Sequence, residues 1–301
     1  MDKMLNPQKA LHLYAELEKK RTKVDEDTFV IFEKYDGIYG MKEVSHKDSG
    51  FNRIHTRAKR MLPSTVDLSA SIELYEKASM IHIEGTLIFE ILVSGKPVFK
   101  DLNGILNRSK TPCQAAMAHI IVHDLVVPDK SMPFSERYEL AKAYVYALDH
   151  SRVSLAPIIG TGTHEDVQKA AESIWQRYDR TVSNEGAIGK RIGAPYSEGK
   201  RNKDIIKVKC EVTLEMLVIG LVEGKGKYLG TLGGLRVRQK DGTEHTVSGM
   251  ADFERDLWYD HPHLIINQVV EIQAMQILPN GSLREGRFKD IRYDKTAKDI
   301  D

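Results

Sequence analysis

The chain has 301 residues, roughly twice the ~150 residues typical of one domain, so two domains are expected. With 41% hydrophobic and 29% charged residues it can bury a sizeable core, and 44 Lys plus Arg against 43 Asp plus Glu argue against a globally basic nucleic-acid binder, an acidic tail or a disordered chain; any electrostatic site has to be local. Only Cys113 and Cys210 are present, which rules out a disulfide framework and a four-cysteine zinc site; residues 1–21 show no apolar leader, and the best apolar stretch, Met216 to Val222, is far short of the ~20 residues a membrane span needs, so a soluble cytoplasmic protein is expected.

In chain order, Asn6-Pro7 reads as a helix cap with proline in the first turn, and Ala10, Tyr14 and Leu17 follow at the spacing of one buried helix face. Thr28 to Phe32 is a β-rich run that breaks at Lys34-Tyr35-Asp36-Gly37 and resumes at Ile38, predicting strand, tight connection, strand. Met80 to Val93 is a second apolar segment, and Gly85 inside it predicts a bend or a close backbone approach. Ile120 to Val127 reads as an interior strand with His123 and Asp124 in its middle. Two amphipathic helices are expected next. One is opened by Ser135 and buries Leu140, Ala143 and Tyr144; the other starts near Thr163 and buries Val167, Ala171, Ile174, Trp175 and Tyr178.

From Glu211 onward the pattern is short strands: Thr213 to Val222, Tyr228 to Leu232, Leu235 to Arg238, His245 to Ser248 and Val269 to Ile277. Turns are expected at Gly224 to Gly226, Gly233-Gly234, Asp241-Gly242 and Asn280-Gly281, with one helix over Met250 to Tyr259. Short strands with one helix over roughly 90 residues fit a five-stranded Greek-key barrel of the OB type, and the boundary belongs near Cys210.

The sequence contains no Walker phosphate loop, no Gly-x-Gly-x-x-Gly, no Gly-x-Ser-x-Gly and no His-Glu-x-x-His. A nucleotide, if bound, is held by something else. Lys34 stands where a strand ends at a tight turn, which can aim an amine into a cleft from a rigid base; a surface hairpin uses the same residue types. Arg53, His55, Arg57, Lys59 and Arg60 crowd positive charge with no acid among them, which reads either as a solvated strand edge or as a phosphate seat. Glu185-Gly186-Ala187-Ile188-Gly189-Lys190 leads into Arg191, Lys200, Arg201 and Lys203, and then Lys207-Val208-Lys209 places two ammonium groups on one strand face. Those two repel each other unless an anion lies between them; an exposed strand face is the alternative. Arg287 to Lys295 alternates apolar and charged residues, as an edge strand protected against aggregation does.

In order and at these separations, Lys34-Tyr35-Asp36-Gly37, Thr56-Arg57 with Arg60, Glu84-Gly85, His123-Asp124-Leu125, Glu185-Gly186 with Lys190, Lys207-x-Lys209 and Arg292-x-Asp294-Lys295 resemble the covalent nucleotidyltransferase superfamily. The similarity is specifically to small ATP-dependent DNA ligases of the phage type, and it covers nearly the whole chain. It implies an α+β fold: a nucleotidyltransferase (adenylation) domain with antiparallel-rich sheets over residues 1–210, then a small OB-fold β-barrel over residues 211–301.

The resemblance also implies a chemistry. Lys34 would attack the α-phosphorus of ATP and carry AMP, which passes to the 5′-phosphate of a nick before the 3′-hydroxyl displaces it. Glu185 would hold Mg²⁺, with Glu84 as a second carboxylate. Nucleotide contacts would come from Phe32, Glu33, Tyr35, Arg57, Glu84, His123 (in the adenine-stacking position), Lys190, Lys207 and Lys209, while Arg292 and Lys295 would orient the departing pyrophosphate. Thr56, Arg57, Lys59, Arg60, Arg191, Lys200 and Arg201 would grip DNA. The partner implied is nicked double-stranded DNA, bound by a monomer in the cytoplasm of a bacterial or phage-infected cell. No extra N-terminal DNA-binding domain or long clamp insertion is visible, so modest affinity and nick repair are expected.

Several positions depart from the family pattern. Tyr39 replaces an arginine, Phe32 and Glu33 shift an acid by one place, Thr86 replaces a carboxylate, and Ile206 replaces a tryptophan. Three other readings share part of the signal: a GTP-using mRNA guanylyltransferase, an RNA ligase, and a nick-binding protein that has lost catalysis.

Overall fold

The structure, a computed structural model, describes residues 4–13, 27–44, 53–81, 83–93, 104–107, 118–177, 184–278 and 281–301. The chain divides into two compact units, Met1–Lys209 and Cys210–Asp301. In chain order the first unit contains β1 (Lys9–His12), β2 (Phe29–Tyr35), β3 (Ile38–Val44), β4 (His55–Thr56), α1 (Val66–Ala78), β5 (Gly85–Val93), β6 (Ala118–Val126), α2 (Phe134–Leu148), β7 (Val153–Leu155), β8 (Ile158–Gly162), α3 (His164–Arg177), β9 (Asn184–Arg191) and β10 (Arg201–Lys209). Among the described residues no helix is long and apolar enough to cross a membrane.

Two five-stranded sheets carry this unit, ordered β1-β10-β9-β2-β8 and β4-β3-β5-β6-β7. In the first, strict alternation sorts the side chains. Val30 and Phe32 of β2 join Phe134 and Tyr138 of α2 and Ile121 of β6, so they face the second sheet. The opposite face is covered by α3, and a Cβ at Gly189 would come within 2.8 Å of the Val167 side chain. The second sheet turns Ile38, Phe89, Ile91 and Val122 onto Leu68 and Ile72 of α1 and Tyr144 of α2.

The helix expected after Asn6-Pro7 is a strand instead. β1 lies parallel to β10, with the Lys9 amide donating to the Lys200 carbonyl at 2.8 Å, and the Gln8 amide donates to the Tyr196 hydroxyl at 3.0 Å. An available sheet edge outweighs local propensity there; Tyr14 and Leu17 lie outside the described residues. Ala143 is exposed, because Phe134, Arg137, Tyr138, Ala141, Tyr144 and Leu148 set the buried stripe of α2. The Gly85 expectation is met: a Cβ there would lie 2.7 Å from the Val126 carbonyl oxygen.

The second unit contains β11 (Val212–Glu223), β12 (Leu232–Arg238), β13 (Glu244–Val247), α4 (Asp252–Asp260), β14 (Val269–Ala274), β15 (Gln276–Ile277), β16 (Leu283–Arg284) and β17 (Arg287–Ile291). Its five-stranded sheet runs β13-β12-β11-β14-β17. A single parallel bridge between Ser248 and Arg287 links the ends of the two edge strands around a core of Met216, Val218, Val237, Val270, Ile272 and Trp258. Gly233-Gly234 is not a turn. Both lie inside β12, where a Cβ at Gly233 would press on the Glu223 carbonyl at 2.7 Å; the strand expected over Tyr228 to Leu232 is instead a 3-10 turn and bend as far as Thr231.

One buried ion pair anchors the second sheet to its helices. Lys42 of β3, only 1% exposed, donates to both carboxylate oxygens of Glu76 on α1 at 2.8 and 2.9 Å, and the Tyr144 hydroxyl of α2 donates to the same carboxylate at 2.5 Å. Removing the acid strands an ammonium in an apolar layer. Glu76→Ala is therefore expected to destabilise the first unit by about 3 kcal/mol in chemical denaturation. A loss below about 1 kcal/mol would show that the ammonium finds water.

Candidate active site

The strand registry assembles the site. Lys34 of β2 and Lys209 of β10 both lie opposite Gly186 of β9. Glu185, next in β9, ion-pairs with Lys34 and, at 3.2 Å, with Lys209. The lysine and the glutamate are 17% and 8% exposed, so the nucleophile expected from sequence is turned inward and not out into solvent. Gly186 makes the close approach feasible. Its φ of 131° lies where L side chains rarely sit, and a Cβ there would collide with the Val208 carbonyl.

The electrostatics follow from this crowding. Burial alone would raise Glu185, but the Lys34 and Lys209 charges win and hold its carboxyl down at about 2, so it is anionic at neutral pH. Lys207 is lowered to about 8 by burial first and then by repulsion from Lys209, Lys34 and Arg201.

A second cluster links the two sheets. Lys190 of β9 donates to His123 Nδ1 at 3.1 Å and to the His123 carbonyl at 2.9 Å, and lies 3.4 Å from Asp124. An ammonium can only donate, so Nδ1 accepts and the ring proton sits on Nε2. Burial, and then the Lys190 charge, keep His123 well below the usual histidine range, so the ring is neutral. Asp124 also takes Arg137 of α2, with Nε at 2.9 Å and Nη2 at 3.3 Å. Although burial opposes it, these cations hold the Asp124 carboxyl down. Lys190, expected to touch nucleotide, is thus buried beneath His123 and held by Asp124.

The face of the second sheet that looks toward β2 carries Tyr39 of β3 directly opposite Glu90 of β5. The Glu90 stem crosses the turn below Lys34: a Cβ on Gly37 would meet Glu90 Cγ and the Ile91 carbonyl, each at 2.6 Å. Burial pushes the Glu90 carboxyl up to about 7, with Lys34 and Arg57 opposing. Sequence reading overlooked Glu90; its signal was a lone acid in the otherwise apolar run Thr86-Leu87-Ile88-Phe89-Glu90-Ile91-Leu92-Val93.

Other expected residues fall elsewhere. Phe32 is core, 3% exposed, its ring edge-on to Phe134 at 5.9 Å, because it packs under α2 and not at an open surface. Strand alternation puts Glu33 on the opposite face of β2 from Lys34. Tyr35 packs against the Phe32 cluster. Glu84 is exposed and precedes β5, so it is not part of the Lys34–Glu185 cluster. Thr56 closes a tight loop with Arg60 (amide to carbonyl, 2.8 Å), and this leaves Arg57 and Arg60 exposed. Lys59 instead turns to the Met4 carbonyl at 3.0 Å. Arg191 is engaged by Asp204 and, at 3.9 Å, Asp27; Lys200 and Arg201 are exposed. In the second unit, Glu215 bridges Arg292 and Lys295, and Asp294 takes Arg292 through Nε at 2.9 Å and Nη2 at 2.7 Å.

An inward lysine at a strand end, held by a glutamate on the strand between it and a paired-lysine strand, and followed by a five-stranded sheet with nearly meeting edges, defines a nucleotidyltransferase domain followed by an OB-fold domain. The family model described as ATP dependent DNA ligase domain matches residues 7–209, and the chain belongs to that family. A probable DNA ligase of Rhodococcus jostii (strain RHA1) is 32% identical over 169 residues, covering 47% of this chain and 31% of the relative. A probable DNA ligase of Streptomyces avermitilis is 28% identical over 285 residues, covering 88% of this chain and 51% of the relative. The chain therefore spans a third to a half of the length of these two curated relatives. Among solved structures, one from work on Lig E DNA ligases superposes with a TM-score of 0.69 at 18% identity, covering 97% of this chain and all of that one. That likeness establishes the shared fold.

The depressed Glu185 carboxyl makes a pH prediction. A folded-state value below the unfolded one gives stability that is complete above the unfolded range near 4.5 and is lost as pH falls toward 2. In chelator-treated protein, urea unfolding between pH 6 and 2.5 is expected to show a steeper acid loss for wild type than for Glu185→Gln. Parallel curves would refute the ion pair.

Proposed function

We propose that this chain seals nicks in duplex DNA at the expense of ATP, through a lysyl-AMP intermediate on Lys34. The observation that carries the reading is Lys34 turned inward against Glu185, with Lys209 on the same carboxylate. Family membership supports it. Lys34 Nζ, having shed a proton, forms a bond to the α-phosphorus while the bond to pyrophosphate breaks and its electron pair leaves with pyrophosphate. Lys207 and Lys209 offer positive charge to the oxygens of that transition state. The DNA 5′-phosphate then takes AMP from Lys34, and the 3′-hydroxyl displaces AMP to close the strand.

Mg²⁺ fits the donor chemistry: Glu185 is a hard oxygen ligand that stays anionic at neutral pH, and it is the residue that would hold the ion. Bound there, the ion would supply positive charge to the phosphates. Residues 1–210 act as the adenylation domain and residues 211–301 as the OB domain of a monomer that works in the cytoplasm. His123 offers a neutral flat ring to a base, and Arg57 and Arg60 are the exposed cations best suited to DNA phosphates.

Intact-mass analysis after incubation with Mg²⁺ and either ATP or GTP tests the reaction. An AMP adduct from ATP, absent in Lys34→Ala, is expected. No adduct, an adduct that survives Lys34→Ala, or labelling by GTP alone would overturn the reading. For DNA, Arg57→Ala is expected to weaken binding to nicked duplex and to flatten the log-log salt slope by about one unit. An unchanged slope would remove Arg57 from the interface.

A further inference from the structure

Tyr39 and Arg57 come together from different segments. The Arg57 guanidinium lies over the Tyr39 ring, 4.4 Å from its centroid, although Arg57 belongs to the loop after β4 and Tyr39 to β3. The ring is itself fixed. Tyr39 packs against Leu5, Ile88, Val126 and Tyr196, and the Tyr196 hydroxyl oxygen in turn accepts the Gln8 amide at 3.0 Å. Directly across the strand pair stands Glu90, whose charge attracts the same guanidinium. Arg57 is exposed, and among the described residues no hydrogen bond or ion pair competes for its nitrogens.

This geometry has a chemical meaning. A guanidinium over a ring face is held by the ring's charge distribution and not by hydrogen bonds, so N–H donors remain for a bidentate phosphate. An unsupported arginine would have to order its long side chain when the anion arrives; a ring beneath it does part of that ordering beforehand.

We propose that Tyr39 is a positioning residue that holds Arg57 in place over its ring, making the pair a phosphate seat within the nick-sealing site. The inference rests on the function proposed above.

A double-mutant cycle tests it on nicked duplex carrying a 5′-phosphate, with the rate of lysyl-AMP formation measured in parallel. Tyr39→Leu is expected to weaken the phosphate-dependent step about 3- to 20-fold, to leave Arg57→Ala no worse when combined with it, and to be rescued to within about twofold by Tyr39→Phe. Loss in duplex binding identifies the nick phosphate as the occupant; loss in labelling identifies the nucleotide's. A penalty that is equal with and without Arg57, or no penalty in either readout, would overturn the proposal. If Tyr39→Leu does not melt cooperatively, Arg57→Lys at the exposed position decides: it keeps the charge but loses the planar fork, so unchanged behaviour would overturn the idea. A wild-type chain that neither takes AMP nor binds nicked duplex fails the proposed function itself, whereas one that does both can fail only this inference.

Discussion

One carboxylate between two ammonium groups is the constraint on which the first unit depends. Glu185 takes both Lys34 and Lys209, with the buried Asp36 beside it, so cations and acids are interleaved in a place with little water. That arrangement persists because three strands lock their registry through Gly186, the one residue type that fits between the Val208 carbonyl and its own left-handed backbone. Lys207, lowered to about 8 by burial and by repulsion from Lys209, Lys34 and Arg201, is the cation of this cluster that an entering anion would relieve most.

The second sheet contributes a different kind of control. Lys190 reaches across from β9 to His123 and Asp124, and Phe32, Phe134 and Tyr138 fill the space around it. Its cation sits 4.7 Å from the Phe134 ring centroid, so both charge and apolar packing fix the distance between the sheets. His123 is consequently held neutral and oriented before any ligand arrives, and Arg137, bridging Asp124 to the Met132 and Ala194 carbonyls, ties that arrangement to α2.

Much of this was legible in the sequence where the signal was local. The break at Lys34-Tyr35-Asp36-Gly37 between two β-rich runs is a strand–turn–strand, and Val167, Ala171 and Ile174 do form the buried stripe of α3. What could not be read depended on partners distant in sequence. The segment at Lys9–His12 carries weak helical cues, and only the edge of β10 makes it a strand. Phe32 has the composition of a nucleotide contact and the position of a core residue, a distinction set by α2. Gly233-Gly234 has turn composition, yet the close passage of Glu223 and Gly224 demands glycine inside a strand. Glu90 stood alone among apolar neighbours, and nothing in its own segment indicated that Gly37 would leave room for it.

Any anion that enters the corner around Glu215 meets cations that already have partners. Arg292 and Lys295 are already neutralised by Glu215 and Asp294, with Glu271 3.8 Å from the same guanidinium. An incoming anion therefore gains no fresh pairing; it swaps one counterion for another. Such an exchange contributes little to affinity for a singly charged guest and discriminates by valence, because only a multiply charged one outcompetes a carboxylate that is covalently part of the chain.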